Sequence, residues 1–290
     1  MSISPQLGRE HRVDIPEGAI SYRDCGNGSP FVFVHGVGVN GDLWRQVVPR
    51  LAGRHRCITP DLPWGSHSIP LEPDADLSLP GMARITANFL EALDLNDVAI
   101  VANDTGGAVA QALVGRHPDR IARLVLTSCD AFDKFPPTPQ KYLKVMARSR
   151  LLTWIVSYTA QFRPIQRLST AYGFVTSRAM PTDIMRSFTD PVRLNPGVRR
   201  DFRSMLRAVD TKYTFEAAAR LANFDKPALV LWAENDKIFP RDHGRRLAKL
   251  LPQGRFELIA GSRTFIPEDQ PDRLVAAIED FLAAHPTGTD

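Results

Sequence analysis

The sequence Val98-Ala99-Ile100-Val101-Ala102-Asn103-Asp104-Thr105-Gly106-Gly107 decides the fold of this chain. It is typical of a buried strand that enters a sharp turn, and residues 108–117 behind it have helical character. Small residues, Ala102 and Gly106, stand two positions before and after Asp104. A strand-to-helix elbow needs that spacing because bulkier side chains would clash across the strained turn. The pattern therefore predicts that Asp104 projects from the tip of the turn above the sheet edge.

The predicted tip residue is a carboxylate instead of a hydroxyl. A carboxylate attacks saturated carbon, as in an epoxide or a carbon–halogen bond, and leaves an alkyl-enzyme ester. A register with Thr105 at the tip would put Asn103 where a small residue is needed, so we prefer Asp104. The alternative is that the segment around Asp104 is an ordinary polar loop between a strand and a helix. Further motifs elsewhere in the chain are needed to exclude this alternative.

Length and composition predict a globular protein. The chain has 290 residues, of which 43% are hydrophobic, enough for one large domain or a core with an inserted piece. Its start has no signal-peptide pattern, and no apolar run is long enough for a membrane span. Three scattered cysteines predict neither a disulfide framework nor a metal cluster, so we expect a cytoplasmic protein. We expect no metal or organic cofactor, because ligand clusters and phosphate-binding glycine loops are missing from the sequence.

Charge is distributed unevenly along the chain. The net charge is +4, but residues 131–212 carry +10 and the remainder carries −6. A basic segment attracts anionic substrates or a membrane surface, although the solvated outer face of several helices is the commoner reason for such a bias. No nucleic-acid-binding motif accompanies these bases, so we expect no nucleic-acid partner.

Short apolar runs alternate with stretches of helical period, which predicts a mostly parallel sheet covered by helices. Helix-facing apolar residues recur at 43–51, 82–93 and 274–282. The predicted strands are 11–15, 19–24, 31–35, 56–60, 98–102, 122–128, 227–233 and 256–260.

The alternation breaks between about residues 130 and 215, where prolines are frequent and the apolar spacing favours helices. We therefore predict a core formed by residues 1–130 and 213–290, with a helical cap at 131–212 inserted between two core strands. We expect the tail at 286–290 to fray.

Four landmarks in this order resemble the α/β-hydrolase fold superfamily over residues 20–284. They are His35-Gly36-Val37-Gly38, Asp61-Leu62-Pro63-Trp64-Gly65, the Asp104 elbow, and Trp232-Ala233-Glu234-Asn235-Asp236-Lys237-Ile238-Phe239-Pro240. The resemblance implies an α/β-hydrolase fold: a mostly parallel eight-stranded sheet flanked by helices, with an inserted helical cap.

An aspartate at the elbow is similar to the branch of haloalkane dehalogenases and epoxide hydrolases. In that branch the carboxylate opens the substrate, a histidine activates water, and the water hydrolyses the ester. The resemblance implies an oxyanion hole formed by the backbone amides of Val37 and Thr105. It leaves two candidates for the acid of the triad, Asp236 after the seventh strand and Asp130 after the sixth, and we favour Asp236 for its position.

Two departures from that branch bear on the substrate. Dehalogenases usually hold the halide with a tryptophan directly after the nucleophile, where this chain has Thr105, and Val37 occupies the other common donor position. Dehalogenation is therefore disfavoured. Epoxide hydrolases use lid tyrosines as ring-opening acids, and this chain has tyrosines in or beside the predicted cap at positions 142, 158, 172 and 213. We expect four residues to contact the substrate: His35, Trp154, Tyr158 and Tyr213.

The expected histidine is missing. Its place in the loop after the eighth predicted strand is taken by Thr264, within Gly261-Ser262-Arg263-Thr264-Phe265. A threonine hydroxyl is no general base near neutral pH. Among the other histidines, only His67 is placed near the rim of the predicted site, where it could substitute as the base.

These residues favour an enzyme that acts on a small, largely apolar molecule, with epoxide hydrolase-like chemistry at Asp104. One alternative is a non-hydrolytic enzyme, an isomerase, lyase or cyclase, that uses Asp104 as an acid or base. Another is a ligand-binding protein that lost turnover together with the histidine, since fold does not guarantee function. The sequence leaves the formation of a homo-oligomer open.

Overall fold

The computed structural model describes residues 2–285, so the tail at 286–290 that we expected to fray lies outside the described residues. Eight strands of the described part form one sheet. The strands are β1 (Arg9–Ile15), β2 (Gly18–Cys25), β3 (Pro30–Val34), β4 (Arg56–Pro60), β5 (Val98–Asp104), β6 (Ile121–Cys129), β7 (Ala228–Ala233) and β8 (Gly254–Ile259). Their spatial order is β1-β2-β4-β3-β5-β6-β7-β8. β2 pairs antiparallel with β1 and β4, and every other neighbouring pair is parallel. The predicted mostly parallel eight-stranded sheet is confirmed.

The helices of the described residues either pack on this sheet or belong to the segment between β6 and β7. They are α1 (Val48–Leu51), α2 (Leu79–Ala92), α3 (Thr105–Val114), α4 (Lys141–Met146), α5 (Arg150–Thr159), α6 (Arg163–Gln166), α7 (Thr182–Leu194), α8 (Pro196–Ala208), α9 (Thr211–Arg220), α10 (Arg241–Leu250), α11 (Ile266–Asp269) and α12 (Pro271–Ala284). Within residues 2–285, no helix combines the length and the apolar character that a membrane crossing requires.

The parallel strands bring the chemically interesting residues to one edge of the sheet. β5 lies between β3 and β6, and its first six residues are buried because helices cover both faces. The carboxyl ends of β3, β5, β6 and β7 therefore lie side by side. Ligand sites of open α/β sheets form at this edge.

The prediction of one continuous helix over residues 43–51 was wrong. A 3₁₀ turn at Gly41–Trp44 and the short helix α1 replace it. Pro49 explains the break, because it has no N–H to donate to the carbonyl of Arg45 one turn earlier. The helix behind the elbow also begins earlier than predicted, directly at Thr105.

The segment between β6 and β7 consists of helices and loops. Residues 131–212, which we call the cap segment, contain α4–α8 and the start of α9, and their described backbone has no strand. The division into core and cap at residues 131 and 212 remains our proposal.

The close approach of β3 to α3 can be tested at Gly106. A Cβ added there would lie 2.4 Å from the carbonyl oxygens of Val34 and His35, both rigid backbone atoms. We expect Gly106→Ala to lower the free energy of unfolding by about 1–3 kcal/mol, as overpacking does. Gly53→Ala is the matched control, because a Cβ at Gly53 meets no atom within 4 Å. Urea denaturation of both variants measures the difference, and equal stabilities would contradict the close packing of the elbow.

Candidate active site

Asp104 occupies a strained turn between β5 and α3. Its backbone has φ 56° and ψ −132°, a conformation that is rare for residues with a side chain. A Cβ at Gly36 would lie 2.2 Å from Asp104 Oδ2, so the loop after β3 passes directly over the carboxyl group. The strain is held by packing on both sides, and it directs the carboxyl group away from the sheet.

Two backbone amides are close enough to the Asp104 carboxyl group to favour its charged form. They belong to Thr105, at the start of α3, and Val37, in the loop after β3. Burial raises the pKa of Asp104 to about 7, the negative charge of Asp236 adds to the rise, and the two amides oppose it. Asp104 is therefore ionised in part of the molecules at neutral pH, and the two amides favour this ionised form.

A cavity of about 180 Å³ lies above Asp104. Its floor carries the polar side chains of Asp104, Thr105 and Asp130. The side chains around it are mainly apolar and come largely from the cap segment. They include Phe135, Leu143, Val156, Val175, Phe188, Val192, Phe202, Met205, Leu206 and Val209 from that segment, and Ile238 and Phe265 from the core. Such a site suits a small, largely apolar molecule.

Asp130 reaches the cavity floor from the end of β6. Its Oδ2 accepts a hydrogen bond of 2.7 Å from the Thr105 hydroxyl, whereas its buried Oδ1 has no hydrogen-bond partner among the described residues. Burial and the negative charge of Asp104 raise the pKa of Asp130 well above its usual range. An unsatisfied buried oxygen is costly, and Asp236 Oδ2 is also buried without a hydrogen-bond partner among the described residues, so this cost marks both carboxyl groups as candidates for a functional role.

Thr264 and Asp236 contact each other outside the cavity lining. The Thr264 hydroxyl donates to Asp236 Oδ1 over 3.0 Å, and the same oxygen accepts 2.8 Å bonds from the amides of Ile238 and Phe239. The acid of a triad normally accepts a hydrogen bond from the histidine. In this chain Asp236, which we favoured as the acid, accepts that bond from Thr264 instead, and a threonine hydroxyl cannot act as the base.

His35 supports the loop after β3. Its Nε2 accepts a hydrogen bond of 2.8 Å from the Leu62 amide, so the proton resides on Nδ1, which donates to the Gly36 carbonyl over 2.8 Å. Burial lowers the pKa of His35 to about 3, so the ring is neutral. His35 lies outside the cavity lining, and the expected substrate contact is corrected to a structural role.

The candidate replacement base, His67, is placed elsewhere. It is buried and donates from Nε2 to Asp201 Oδ2 over 3.2 Å, in a contact between the loop after β4 and α8. It borders a separate surface pocket. Among the described residues, the side chains that line the Asp104 cavity include no histidine.

Three further expected substrate contacts also lie outside the cavity lining. Trp154 and Tyr158 stack on each other on the outer side of α5, with ring centroids 5.6 Å apart, and Tyr213 lies beside Lys212 on α9. Helical spacing did identify α5, but it could not show which side of the helix faces inward: Val156 and Ser157 line the cavity instead.

Two other tyrosines line the cavity. The Tyr172 hydroxyl donates to the Gly38 carbonyl over 2.6 Å, beside the loop that carries the Val37 amide. Tyr142 donates to the Thr170 carbonyl over 3.2 Å. Both belong to the lid tyrosines that the sequence singled out as a group, but Tyr172 lies in a loop without periodicity, so no sequence signal selects it over the others.

Comparison with known proteins now assigns the family. A family model described as alpha/beta hydrolase fold matches residues 29–271. The chain belongs to this family. This α/β-hydrolase-fold protein is 28% identical over 289 residues to a 2-hydroxymuconate semialdehyde hydrolase of Pseudomonas sp. (strain CF600), with 97% of this chain and 95% of the relative covered.

Two further similarities place the α/β-hydrolase-fold protein among relatives with different chemistry. It is 29% identical to a cis-3-alkyl-4-alkyloxetan-2-one decarboxylase of Xanthomonas campestris pv. campestris, over 95% of this chain and 96% of the relative. The solved structure of the epoxide hydrolase CorEH superposes with a TM-score of 0.79 at 19% identity, covering 95% of this chain and 99% of that one. The latter likeness shows a shared fold.

The raised pKa of Asp104 predicts a pH-dependent stability. A carboxyl group whose pKa is higher in the folded than in the unfolded state stabilises the fold at low pH, and this contribution is lost as the pH rises through about 7. Asp104→Asn stays neutral, so its advantage over the wild type should grow between pH 5 and pH 8 by about 2–3 kcal/mol. Chemical denaturation at both pH values measures it.

Asp97→Asn is the control for this experiment. Asp97 also has a positive φ, 53°, but it is exposed. The stability difference between this variant and the wild type should not change with pH. An Asp104→Asn variant that behaves in the same way would contradict the desolvated carboxyl group.

Proposed function

We propose that this protein is an enzyme that opens a strained oxygen-containing ring in a small, largely apolar molecule, with Asp104 as the nucleophile. Epoxide hydrolysis is the reaction we favour. The observation that carries the proposal is the Asp104 carboxyl group at the floor of an apolar cavity, where the nearby amides of Val37 and Thr105 favour its charged form. Titratable groups whose pKa is strongly shifted and that lie in a cleft are concentrated at catalytic sites.

In the first step, an Asp104 oxygen attacks a ring carbon, and the carbon–oxygen bond of the epoxide breaks. The ring oxygen takes a proton from the Tyr172 hydroxyl, which lines the same cavity. Burial raises the pKa of Tyr172, so it is a protonated donor before the reaction. The product of this step is a neutral ester on Asp104 that carries an alcohol, together with a tyrosinate.

In the second step, Asp130 replaces the missing histidine as the base. Ester formation removes the negative charge of Asp104, which is one of the causes of the raised pKa of Asp130. Loss of that charge favours the ionised form of Asp130, which releases its proton to solvent. This carboxylate takes a proton from water, and the hydroxide adds to the ester carbonyl. The oxyanion that forms is stabilised by the amides of Val37 and Thr105.

Collapse of the tetrahedral intermediate closes the cycle. The ester bond breaks, the departing alkoxide recovers the proton from Asp130, and the diol leaves. Asp104 is released as a carboxylic acid and returns its proton to the Tyr172 oxygen. The sum of the steps is epoxide plus water to diol, with all three side chains restored.

Decarboxylation of an oxetan-2-one is the second candidate. The Xanthomonas campestris relative carries that activity in its name, and an oxetan-2-one is a strained oxygen ring like an epoxide. Its conversion to an alkene and carbon dioxide needs no activated water, which fits a site with Thr264 in place of the histidine. Product analysis separates the two candidates, because hydrolysis gives diols or hydroxy acids and decarboxylation gives alkenes.

Asp130→Asn tests the proposed division of labour between nucleophile and base. After incubation with a panel of epoxides, we expect intact-protein mass spectrometry to detect an adduct on Asp104 in this variant, because ester hydrolysis slows by about 10²-fold or more without its base. Asp104→Asn should form no adduct. The matched control is Asp236→Asn, which removes a buried carboxylate outside the cavity lining and should hydrolyse its ester within a few-fold of the wild-type rate.

Other outcomes redirect the proposal. An adduct that accumulates in Asp236→Asn but not in Asp130→Asn would assign the base to the Asp236 side of the site. A protein that forms no adduct and no product, yet binds the same compounds in both wild-type and Asp104→Asn forms, would be a ligand-binding protein and would contradict the proposed enzyme.

A further inference from the structure

Helix α5 has its polar and apolar sides reversed. The side chains that it buries are Thr153 and Ser157, whose hydroxyls donate to the helix's own backbone carbonyls and those before it. The large apolar side chains point outward: Leu151 is 64% exposed, and Trp154 is 47% exposed. A surface helix of a globular protein normally has the opposite arrangement. The outer side of α5 therefore lacks a partner within the described chain.

The exposed apolar surface extends beyond α5. Val145 on α4, Ile165 on α6, and Phe162 and Leu168 beside α6 are exposed as well. Of the fourteen large apolar side chains that are exposed in the described residues, ten fall within residues 142–168. We call the exposed side of residues 141–168 the outer cap face. Exposed apolar residues concentrated in this way mark a surface that contacts another molecule or a membrane.

The charge of the same segment has one sign. Residues 134–182 contain eight lysines and arginines and no aspartate or glutamate. Lys134 pairs with its neighbour Asp133, and no ion pair in the described residues neutralises the other seven. Lys141, Arg148, Arg150, Arg163 and Arg167 are exposed along the outer cap face. A surface that combines exposed apolar and aromatic side chains with uncompensated bases is complementary to anionic lipid.

A pocket of about 240 Å³ beside α6 collects four arginines: Arg163, Arg167, Arg178 and Arg263. Two of the guanidinium groups are held in place by backbone carbonyls. Arg163 donates to the Met180 carbonyl over 2.9 Å, and Arg263 donates to the Gly173 carbonyl over 2.8 Å. Guanidinium groups bind the oxygens of phosphate through paired hydrogen bonds. Along the chain, the exposed Ile165 stands between Arg163 and Gln166, which both line the pocket, so a phosphate bound there would lie on the same segment as the outer cap face.

We propose that the outer cap face docks on an anionic lipid bilayer. The apolar side chains of α5 enter the boundary between headgroups and acyl chains, and the arginine pocket binds a lipid phosphate. A second copy of this chain fits less well, because two faces of the same positive charge would repel each other. The inner side of α5 lines the Asp104 cavity, so an apolar substrate would enter from the bilayer; this clause alone rests on the proposed function.

Trp154 reports directly on the proposed contact. The other tryptophans, Trp44, Trp64 and Trp232, are fully buried, so they contribute a constant fluorescence signal. With vesicles of mixed phosphatidylcholine and phosphatidylserine, the emission should shift to the blue, and lipids brominated on their acyl chains should quench it. Vesicles of phosphatidylcholine alone should produce a much smaller shift. Trp154→Phe should abolish the change without preventing vesicle binding.

Matched variants separate the outer cap face from the rest of the surface. Leu151→Ser should weaken co-sedimentation with the mixed vesicles by about tenfold, because the leucine side chain that becomes buried in the bilayer is lost. Leu194→Ser changes a leucine of the same 64% exposure on α7 and should leave binding unchanged. Arg148→Gln with Arg150→Gln should weaken binding by about fivefold per residue. The same double change at Arg241 and Lys249 on α10 should have little effect.

Any of three results would overturn the proposal. The first is an unchanged Trp154 emission with anionic vesicles, and the second is equal vesicle binding by Leu151→Ser and Leu194→Ser. The third is a blue shift that grows with protein concentration in the absence of lipid, together with dimers in sedimentation velocity that Leu151→Ser removes. That third result would assign the outer cap face to a second copy of this chain. None of these measurements depends on catalytic activity, so their outcome is independent of the test of the Asp104 nucleophile.

Discussion

The proximity of the Val37 and Thr105 amides to the Asp104 carboxyl group is the arrangement on which the rest of the site depends. It requires β3 and β5 to end side by side, because each strand delivers one of the two amides. It also requires the strained backbone of Asp104 and the missing side chain at Gly106. The parallel strands at the centre of the sheet provide this arrangement. The antiparallel strands β1 and β2 lie at one edge of the sheet, away from Asp104.

The second constraint is electrostatic. Asp104, Asp130 and Asp236 lie near one another at the carboxyl ends of the strands, and burial raises the pKa of all three. In a triad with a histidine, the imidazolium would neutralise part of this charge, whereas Thr264 contributes only a hydroxyl. These carboxyl groups are therefore weaker acids than ordinary aspartates. The ionised form of a weaker acid is a stronger base, which is why we propose the water-activating role for Asp130.

The sequence predicted the sheet well because strand signals are local: short apolar runs, and the small residues around Asp104, follow directly from what a buried strand and a tight turn tolerate. It failed where local patterns do not determine direction. The spacing in α5 indicated a helix, but the buried side turned out to be Thr153 and Ser157, so Trp154 and Tyr158 point outward. His67 was close to the site along the chain, yet its bond to Asp201, 134 residues away, holds it elsewhere. The choice of Asp130 over Asp236 at the cavity likewise depends on side-chain directions.

The central claim is that Asp104 forms a covalent ester during turnover. A single turnover of an epoxide in ¹⁸O-labelled water tests it most directly, followed by mass spectrometry of the diol and of the peptide that contains Asp104. Our account predicts that the heavy oxygen enters the Asp104 carboxyl group, because water attacks the ester carbonyl, and that the first diol released carries none. Heavy oxygen in the first diol with none in Asp104 would contradict the account, since water would then have attacked the substrate itself.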